Sequence, residues 1–332
     1  MPASTLRLEP TLEHARVSNL RSGSAWSQAA EGELEAPLNA ALEAGYRHID
    51  TAASYFNEAL IGKVLNQWIS SGRVKREDLF IVTKLPAAGI KPGGPQKWLS
   101  ASLQKLGLDY VDLYLAHVPF CAKEDAAGSP FPVPMQFEPD TDHAGMWRDM
   151  EAEVLAGRAK AIGLSNYSKR LIQIVLDNCR IKPANLQVEL HVYMQQKPLV
   201  DFCHQNGITV CAYFPIGTPG SKAFAQSSFT RGMMKLPDLI NDPTILEVAK
   251  KYKKTPGQVL LKHIVQRGVC AIPKSLSKER IEQNIALFDW ELSKEDTAKI
   301  DALDKGKAGR ILSFLFLGIP ESHPAFPFQD YP

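Results

Sequence analysis

Acidic, basic and imidazole side chains end three successive apolar runs of the sequence. The run "YRHID" (46–50) ends at Asp50, "LFIVTK" (79–84) at Lys84 and "YVDLYLAH" (110–117) at His117. Buried strands of a parallel sheet are nearly all apolar, so polar last residues are unusual. Neighbouring parallel strands lie about 4.8 Å apart, which brings three consecutive strand ends within about 10 Å of one another. The spacing therefore predicts that these three side chains meet at one rim of the sheet.

Tyr55 lies just beyond Asp50 in "GYRHIDTAASYFNE" and can lean over the same rim. A free tyrosine has a pKa near 10. An adjacent Lys84 ammonium favours the phenolate and lowers that pKa, while Asp50 keeps the buried lysine charged. Tyr55 then becomes a proton donor near neutral pH, and His117 can orient a carbonyl oxygen. This combination suits the reduction of a carbonyl, with hydride supplied by a nicotinamide cofactor.

The elements that must position these residues alternate between strands and helices. Apolar residues recur at helical spacing over 34–44, where Gly45 ends the pattern, and over 60–68. The alternation predicts parallel βαβ units, repeated at the roughly 25–35 residues typical of a (β/α)8 barrel. Further strands are predicted at 160–165, 185–190, 208–214 and 269–273.

An eighth strand is needed to close the barrel, and it must lie at about 15–26, "ARVSNLRSGSAW". That stretch is polar and makes a poor strand. The alternative is an open, doubly wound sheet, but no GxGxxG follows any strand to mark a dinucleotide site of that fold.

Composition favours a small-molecule partner. The chain has 332 residues, 45% hydrophobic and 22% charged, with a net charge of +2, which points to neither nucleic acid nor an anionic membrane. No signal peptide and no run of 18 apolar residues is present. Five scattered cysteines without a CxxC indicate reduced thiols, with neither a disulfide framework nor a zinc site. We expect a cytoplasmic monomer.

The quoted segments, together with "KAIGLSNYS" and "AIPKSLSKERIEQN", resemble the signature segments of the aldo-keto reductase superfamily, in the family's order over about 34–304. The resemblance implies a single (β/α)8 barrel domain over 1–332. Residues 1–26 would form an atypical N-terminal segment and first strand, and 305–332 a tail over the pocket. It also implies NADPH as cofactor and a catalytic tetrad of Asp50, Tyr55, Lys84 and His117.

Cofactor residues carry over by resemblance to the family's motifs. Ser165, Asn166 and Gln187 match the residues that hold the nicotinamide carboxamide, and Tyr213 the aromatic that stacks on its ring. A cationic pair near 2′-phosphate favours NADPH over NADH. The pyrophosphate loop, the phosphate ligands and the adenine side are expected at Phe214, Pro215, Ile216, Gly217, Lys274, Ser275, Leu276, Arg280, Gln283 and Asn284.

The sequence departs from the family at several walls of the site. "RSGSAW" replaces a Gly-x-Gly-Thr-Trp-like run, so Ser24 takes the place of a ribose-contacting threonine and Trp26 keeps a tryptophan at the pocket. Pro86 and Val118 stand where aldehyde-preferring members carry indoles, which opens the pocket and favours a bulky ketone. Phe120, Phe137, Phe314 and Leu317 are further expected pocket residues.

"KLP", "HVPF" and "TDHAGMW" resemble insect members, among them reductases of 3-dehydroecdysteroids, and suggest that substrate class. Two other functions stay open on the sequence alone. A non-catalytic, redox-sensing binding module of the same fold is disfavoured by the intact tetrad. A sugar-phosphate barrel enzyme would need a glycine-rich phosphate loop, which "IPKSLS" does not resemble.

Overall fold

Eight parallel strands form one sheet in which spatial order follows chain order, the topology of a (β/α)8 barrel. The architecture comes from a computed structural model, which describes residues 16–17, 31–132, 134–217 and 236–329. The strands are β1 (Arg16–Val17), β2 (His48–Asp50), β3 (Phe80–Leu85), β4 (Val111–Ala116), β5 (Ala159–Ser165), β6 (Asn185–Glu189), β7 (Thr209–Tyr213) and β8 (Cys270–Ala271).

The predicted eighth strand is present at the start of the polar stretch. Arg16 and Val17 of β1 pair in parallel with His48 and Ile49 of β2. Residues 18–30 lie outside the described residues, and so do the two residues predicted there, Ser24 and Trp26.

The helices connect successive strands, as the alternating pattern predicts. Within the described residues they are α1 (Glu31–Glu43), α2 (Glu58–Ser70), α3 (Gly94–Leu106), α4 (His143–Leu155), α5 (Lys169–Asn178), α6 (Lys197–Gln205), α7 (Pro243–Tyr252), α8 (Pro256–Gln266), α9 (Lys278–Ile285) and α10 (Lys294–Asp301). None of these helices combines the length and the apolar composition needed to cross a membrane.

Apolar side chains divide between two sides of the sheet. Ile81, Tyr114 and Ile162 belong to the main core, which includes residues of the surrounding helices. The alternate residues Val82 and Leu113 form a separate small cluster with Leu115 and Ala161. Because successive side chains of a strand point to opposite faces, the small cluster marks the barrel interior.

The long segments after β4 and after α10 meet each other. The first carries an isolated antiparallel bridge between Ala122 and Phe137. The second, residues 306–329, is called the tail from here on. Phe120 and Phe314 join the two segments through an edge-to-face contact with ring centroids 5.6 Å apart. The tail therefore lies against the segment that follows β4.

Candidate active site

A buried ion pair joins the ends of β2 and β3. Lys84 Nζ donates to Asp50 Oδ1 at 2.5 Å and to the backbone oxygen of Thr51 at 2.9 Å. Both charged side chains are buried, with exposed fractions of 0% for Lys84 and 2% for Asp50. Burial alone would lower the pKa of Lys84, but the Asp50 carboxylate, with Tyr55, raises it above its ordinary value. Position 84 is therefore an ammonium at neutral pH.

Tyr55 is held above this pair by a short turn. A single 3₁₀ turn covers Ala53–Tyr55 and ends at Phe56, which has a left-handed φ of 57°. Lys84 Nζ lies 4.9 Å from the centroid of the Tyr55 ring. Burial raises the pKa of Tyr55 above its ordinary value, although Lys84 lowers it. The expected net lowering of this pKa is wrong, because loss of water around the phenol outweighs the ammonium. The resting group is a neutral phenol.

His117 follows β4 and faces the same phenol. Its Nε2 lies 3.2 Å from Tyr55 Oη, and the two rings meet edge-on at a centroid distance of 5.3 Å. Burial first, and then the Lys84 charge, holds the pKa of His117 well below its ordinary value. The imidazole is therefore neutral and keeps one N–H for donation and one nitrogen for acceptance.

The predicted carboxamide residues are bonded to this group. Gln187 Nε2 on β6 donates to Asp50 Oδ2 at 2.7 Å, which crosses the barrel interior from β6 to β2. Asn166 Nδ2 donates to the backbone oxygen of His117 at 2.9 Å and to Ser165 Oγ at 3.1 Å. Tyr213 Oη donates to Asn166 Oδ1 at 2.7 Å. One hydrogen-bond network thus connects the ends of β2, β4, β5, β6 and β7.

Two left-handed residues shape the rim near β5 and β7. Asn166 has a φ of 65° and Phe214 a φ of 55°. Such angles are uncommon for residues other than glycine, and they concentrate at functional sites. After Phe214 the chain turns through Pro215 and Ile216, and the N–H of Gly217 donates to the Phe214 oxygen at 2.9 Å. The Phe214 ring meets the Tyr213 ring edge-on at a centroid distance of 5.0 Å, so the turn begins beside Tyr213.

The segment after β8 brings two cations to a helix N-terminus. Ser277 caps α9 by accepting from the Arg280 N–H, and Ser275 Oγ accepts from the Ser277 N–H at 3.2 Å. Lys274 and Arg280 are both exposed. Cations at a helix N-terminus suit an anion such as a phosphate group. The Lys274, Ser275 and Arg280 group is called the cationic corner from here on.

Similarity to known proteins decides the family. The model of the aldo/keto reductase family matches residues 20–305. An aldose reductase of Encephalitozoon cuniculi is 42% identical over 283 residues, covering 85% of this chain and 88% of the relative. Aldo-keto reductase family 1 member A1 of Gallus gallus is 38% identical over 314 residues, covering 90% and 91%. The chain belongs to the aldo/keto reductase family.

Solved structures of family members superpose on the chain. The aldose reductase of Schistosoma japonicum gives a TM-score of 0.79 at 36% identity, covering 95% of this chain and 94% of that one. An aldo-keto reductase of Bombyx mori in complex with NADP gives a TM-score of 0.78 at 36% identity, covering 94% of each chain. The fold is therefore the (β/α)8 barrel. The chain is an NADP(H)-dependent oxidoreductase that acts on small-molecule carbonyl compounds.

The other residues that were expected to bind the nucleotide lie on or beside α9. Gln283 and Asn284 are half-buried, and Gln283 Nε2 donates to Glu279 Oε1 at 3.1 Å. Leu276 is 51% exposed. The expectation that Gln283 and Asn284 face the adenine stays a prediction.

The predicted pocket residues differ in accessibility. Pro86 directly follows β3, Val118 lies two residues after β4, and both are buried. Their contact with a substrate stays a prediction. Phe120 has no exposed surface and packs edge-on against Phe137 and Phe314 at 5.4 and 5.6 Å. Two aromatic rings thus cover Phe120, and its contact with a substrate stays a prediction.

Leu317 is half-buried in the 3₁₀ turn Leu315–Leu317, and Phe314 precedes that turn with a left-handed φ of 62°. The exposed fraction of Phe314 is 4%. Both residues belong to the tail, and the tail contacts Phe120 through the Phe314 ring.

Two groups at the site were missed by sequence reasoning. The backbone oxygen of Thr51 accepts from Lys84 Nζ, and no side-chain pattern signals a backbone acceptor. Glu189 ends β6 as a buried acid. An acid at the end of a buried strand is the signal that identified Asp50, and it was available for Glu189 as well.

Proposed function

We propose that this reductase converts a bulky ketone to an alcohol, with Tyr55 as the proton donor. When bound, NADPH supplies the hydride. The observation that carries the proposal is the convergence of a neutral phenol, a neutral imidazole and an ammonium at one rim. A carbonyl oxygen that approaches Tyr55 Oη also comes within reach of His117 Nε2, since those two atoms lie 3.2 Å apart.

Each side chain has one task in this proposal. Tyr55 holds its proton at rest and releases it to the carbonyl oxygen as negative charge develops there. Lys84 stabilises the phenolate that remains, and its charge is the main influence that lowers the pKa of Tyr55. His117 orients the substrate oxygen as a neutral partner. Asp50 keeps Lys84 charged and fixed.

The cofactor would be held by the network around the rim and by the cationic corner. Ser165, Asn166 and Gln187 would bind the carboxamide, and Tyr213 would stack on the ring. Lys274, Ser275 and Arg280 would bind the 2′-phosphate. The support is that Asn166 and Gln187 are bonded to His117 and Asp50, and that Ser275 and Arg280 lie at the start of α9.

A bulky ketone is proposed because the walls beside the tetrad are small. Pro86 and Val118 offer no flat indole for stacking, so a thick aliphatic ring system can approach. Within that class we propose a 3-keto steroid of the 3-dehydroecdysteroid kind, on the resemblance of "KLP", "HVPF" and "TDHAGMW" to insect members. We also propose a single domain over 1–332 and a cytoplasmic monomer. The cytoplasmic location is supported by five cysteines that are all thiols.

Replacing Tyr55 by phenylalanine tests the assignment. General acid catalysis contributes about 10²–10⁴-fold, so Tyr55→Phe should lower kcat for ketones and aldehydes by that factor. The NADPH Kd, measured by fluorescence, should stay within about threefold of wild type because the variant keeps the ring and only a hydroxyl is removed.

Tyr252→Phe is the matched control, since it deletes a tyrosine hydroxyl that bonds Asp296 away from the rim. Turnover by Tyr55→Phe at the control's rate would refute the proton donor. If the wild-type protein binds NADPH yet reduces none of a panel of aldehydes and ketones, the binding module becomes the better description.

A further inference from the structure

We propose that Glu189 is a positioning residue that anchors the tail over the substrate pocket and so sets the KM for bulky ketones. This inference rests on the proposed function, because it assigns a role toward the same substrates. Glu189 is the last residue of β6, two positions after Gln187, and its exposed fraction is 1%. Its carboxylate lies at the rim but has no role in the proposed catalytic tetrad.

The Glu189 carboxylate binds the tail backbone with both oxygens. Oε1 accepts from the N–H of Ile311 at 2.6 Å, and Oε2 accepts from the N–H of Leu312 at 2.8 Å. His191 Nε2 lies 3.1 Å from Oε1 and is the donor of that pair, because an ionised carboxylate only accepts. Hydrogen bonds to a charged acceptor are roughly twice as strong as neutral ones. The tail is thus fastened to the barrel at one carboxylate.

The residues before the anchor fix where the tail enters. The N–H of Lys305 donates to the Tyr193 oxygen at 3.0 Å. Gly309 packs so closely on that residue that an added Cβ would lie 1.9 Å from the same oxygen. The chain therefore reaches Ile311 along a single path, and Glu189 receives it there.

The residues after the anchor contact the segment that follows β4. Phe314 follows Leu312 by two positions, contacts Phe120 and stacks on Phe328 at 5.6 Å. Phe120 lies three residues beyond His117. A shift of Ile311 and Leu312 would therefore move the aromatic contact between the tail and the segment after the catalytic histidine.

A purely apolar residue would not replace Glu189. Ile311 and Leu312 lie outside any helix or strand, and their N–H groups need acceptors because buried backbone donors are nearly always paired. Glutamine retains one acceptor oxygen but places an NH₂ donor against the second N–H. Glu189→Gln therefore removes half of the anchor without changing the size of the side chain.

Glu151 offers a matched control elsewhere in the molecule. It is also a buried acid, and its Oε1 accepts from the N–H groups of Arg180 and Ile181 at 2.6 and 2.8 Å. Glu151→Gln removes the same charge from a loop anchor that does not touch the tail, while its one remaining oxygen can still accept from both N–H groups. A general loss of stability would appear in both variants, whereas loss of tail position would appear only in Glu189→Gln.

The experiment compares the wild-type protein, Glu189→Gln and Glu151→Gln. Glu189→Gln should raise the KM for a 3-keto steroid by about tenfold or more, in the range that pocket contacts discriminate. The kcat for glyceraldehyde, a three-carbon aldehyde with little surface to contact the tail, should stay within about threefold. Hydrogen exchange should accelerate over 306–329 alone.

Two results would overturn the anchor: the same KM change in both variants, or unchanged exchange in the tail. Faster exchange in the tail with an unchanged steroid KM would overturn the link between the anchor and the substrate. If Glu189→Gln does not fold, Glu189→Asp, which shortens the same carboxylate, is measured in its place. If the wild-type protein reduces glyceraldehyde but no bulky ketone, the proposed substrate class fails, and the exchange data still decide whether Glu189 holds the tail.

Discussion

Burial disfavours the charged form of each polar group at the rim, and the partners of each group decide whether it stays charged. Burial of Tyr55 favours the neutral phenol and burial of His117 the neutral imidazole. Lys84 stays charged only because Asp50 is bonded to it. The sequence places these residue types together, but the direction of the Tyr55 shift depends on how much water reaches the phenol, which no spacing reveals.

The rate of ketone reduction should be insensitive to pH across the neutral range. Reduction requires protonated Tyr55, whose pKa lies above 10.0, so the rate should fall only as the pH rises through that raised value. His117 becomes charged only well below 6.5, so the acidic limb should lie below that pH. The measurement is kcat against pH with deuterated NADPH, at pH values where an isotope effect shows that chemistry limits the rate. A fall centred near pH 7 would contradict both charge states.

At the scale of elements, the polar residues at the strand ends were predictable, but the length of β1 and the packing of the loops after the strands were not. Asp50, Lys84 and His117 each end an apolar run, and a polar residue there is informative because its neighbours are all buried. β1 was harder, since only Arg16 and Val17 of a polar stretch pair with β2. The burial of Phe120 under Phe137 and Phe314 was not predictable, because the sequence does not show which rings will cover an aromatic residue in a loop.

Close packing between α2 and α3 gives a stability prediction. Gly62 lies in α2, and a Cβ added there would lie 2.5 Å from the backbone oxygen of Leu106 in α3. Gly62→Ala gains about 1 kcal/mol of helix propensity. Overpacking against a backbone costs about 1–3 kcal/mol, so we expect a lower free energy of unfolding in urea.

Gly257→Ala in α8 is the comparison, because its added Cβ meets nothing closer than 3.9 Å. That variant should be neutral or slightly stabilised. Equal stability of the two variants would show that α2 and α3 can separate at little cost.

At the scale of the whole molecule, the barrel brings distant parts of the chain to one rim. The bond from Gln187 to Asp50 joins residues 137 positions apart, and those from Glu189 to Ile311 and Leu312 join residues 122 and 123 positions apart. The first belongs to the proposed cofactor site and the others to the tail, yet Gln187 and Glu189 stand on one strand. Periodicity predicts the strand, but partners so far along the chain meet only because the sheet curls and brings distant strands to one rim.

The complete burial of Lys84 has a consequence for amine acylation. A water-soluble succinimidyl ester should modify exposed Lys97 and Lys274 in the native protein and leave Lys84 unmodified, because its ammonium has no exposed surface. NADPH should slow acylation at Lys274, where the 2′-phosphate is proposed to sit, and leave Lys97 unaffected. Peptide mass spectrometry reads all three sites in one digest. Acylation of Lys84 then reports global opening of the barrel, and its modification at the rate of Lys97 would mean that the pair is open to water.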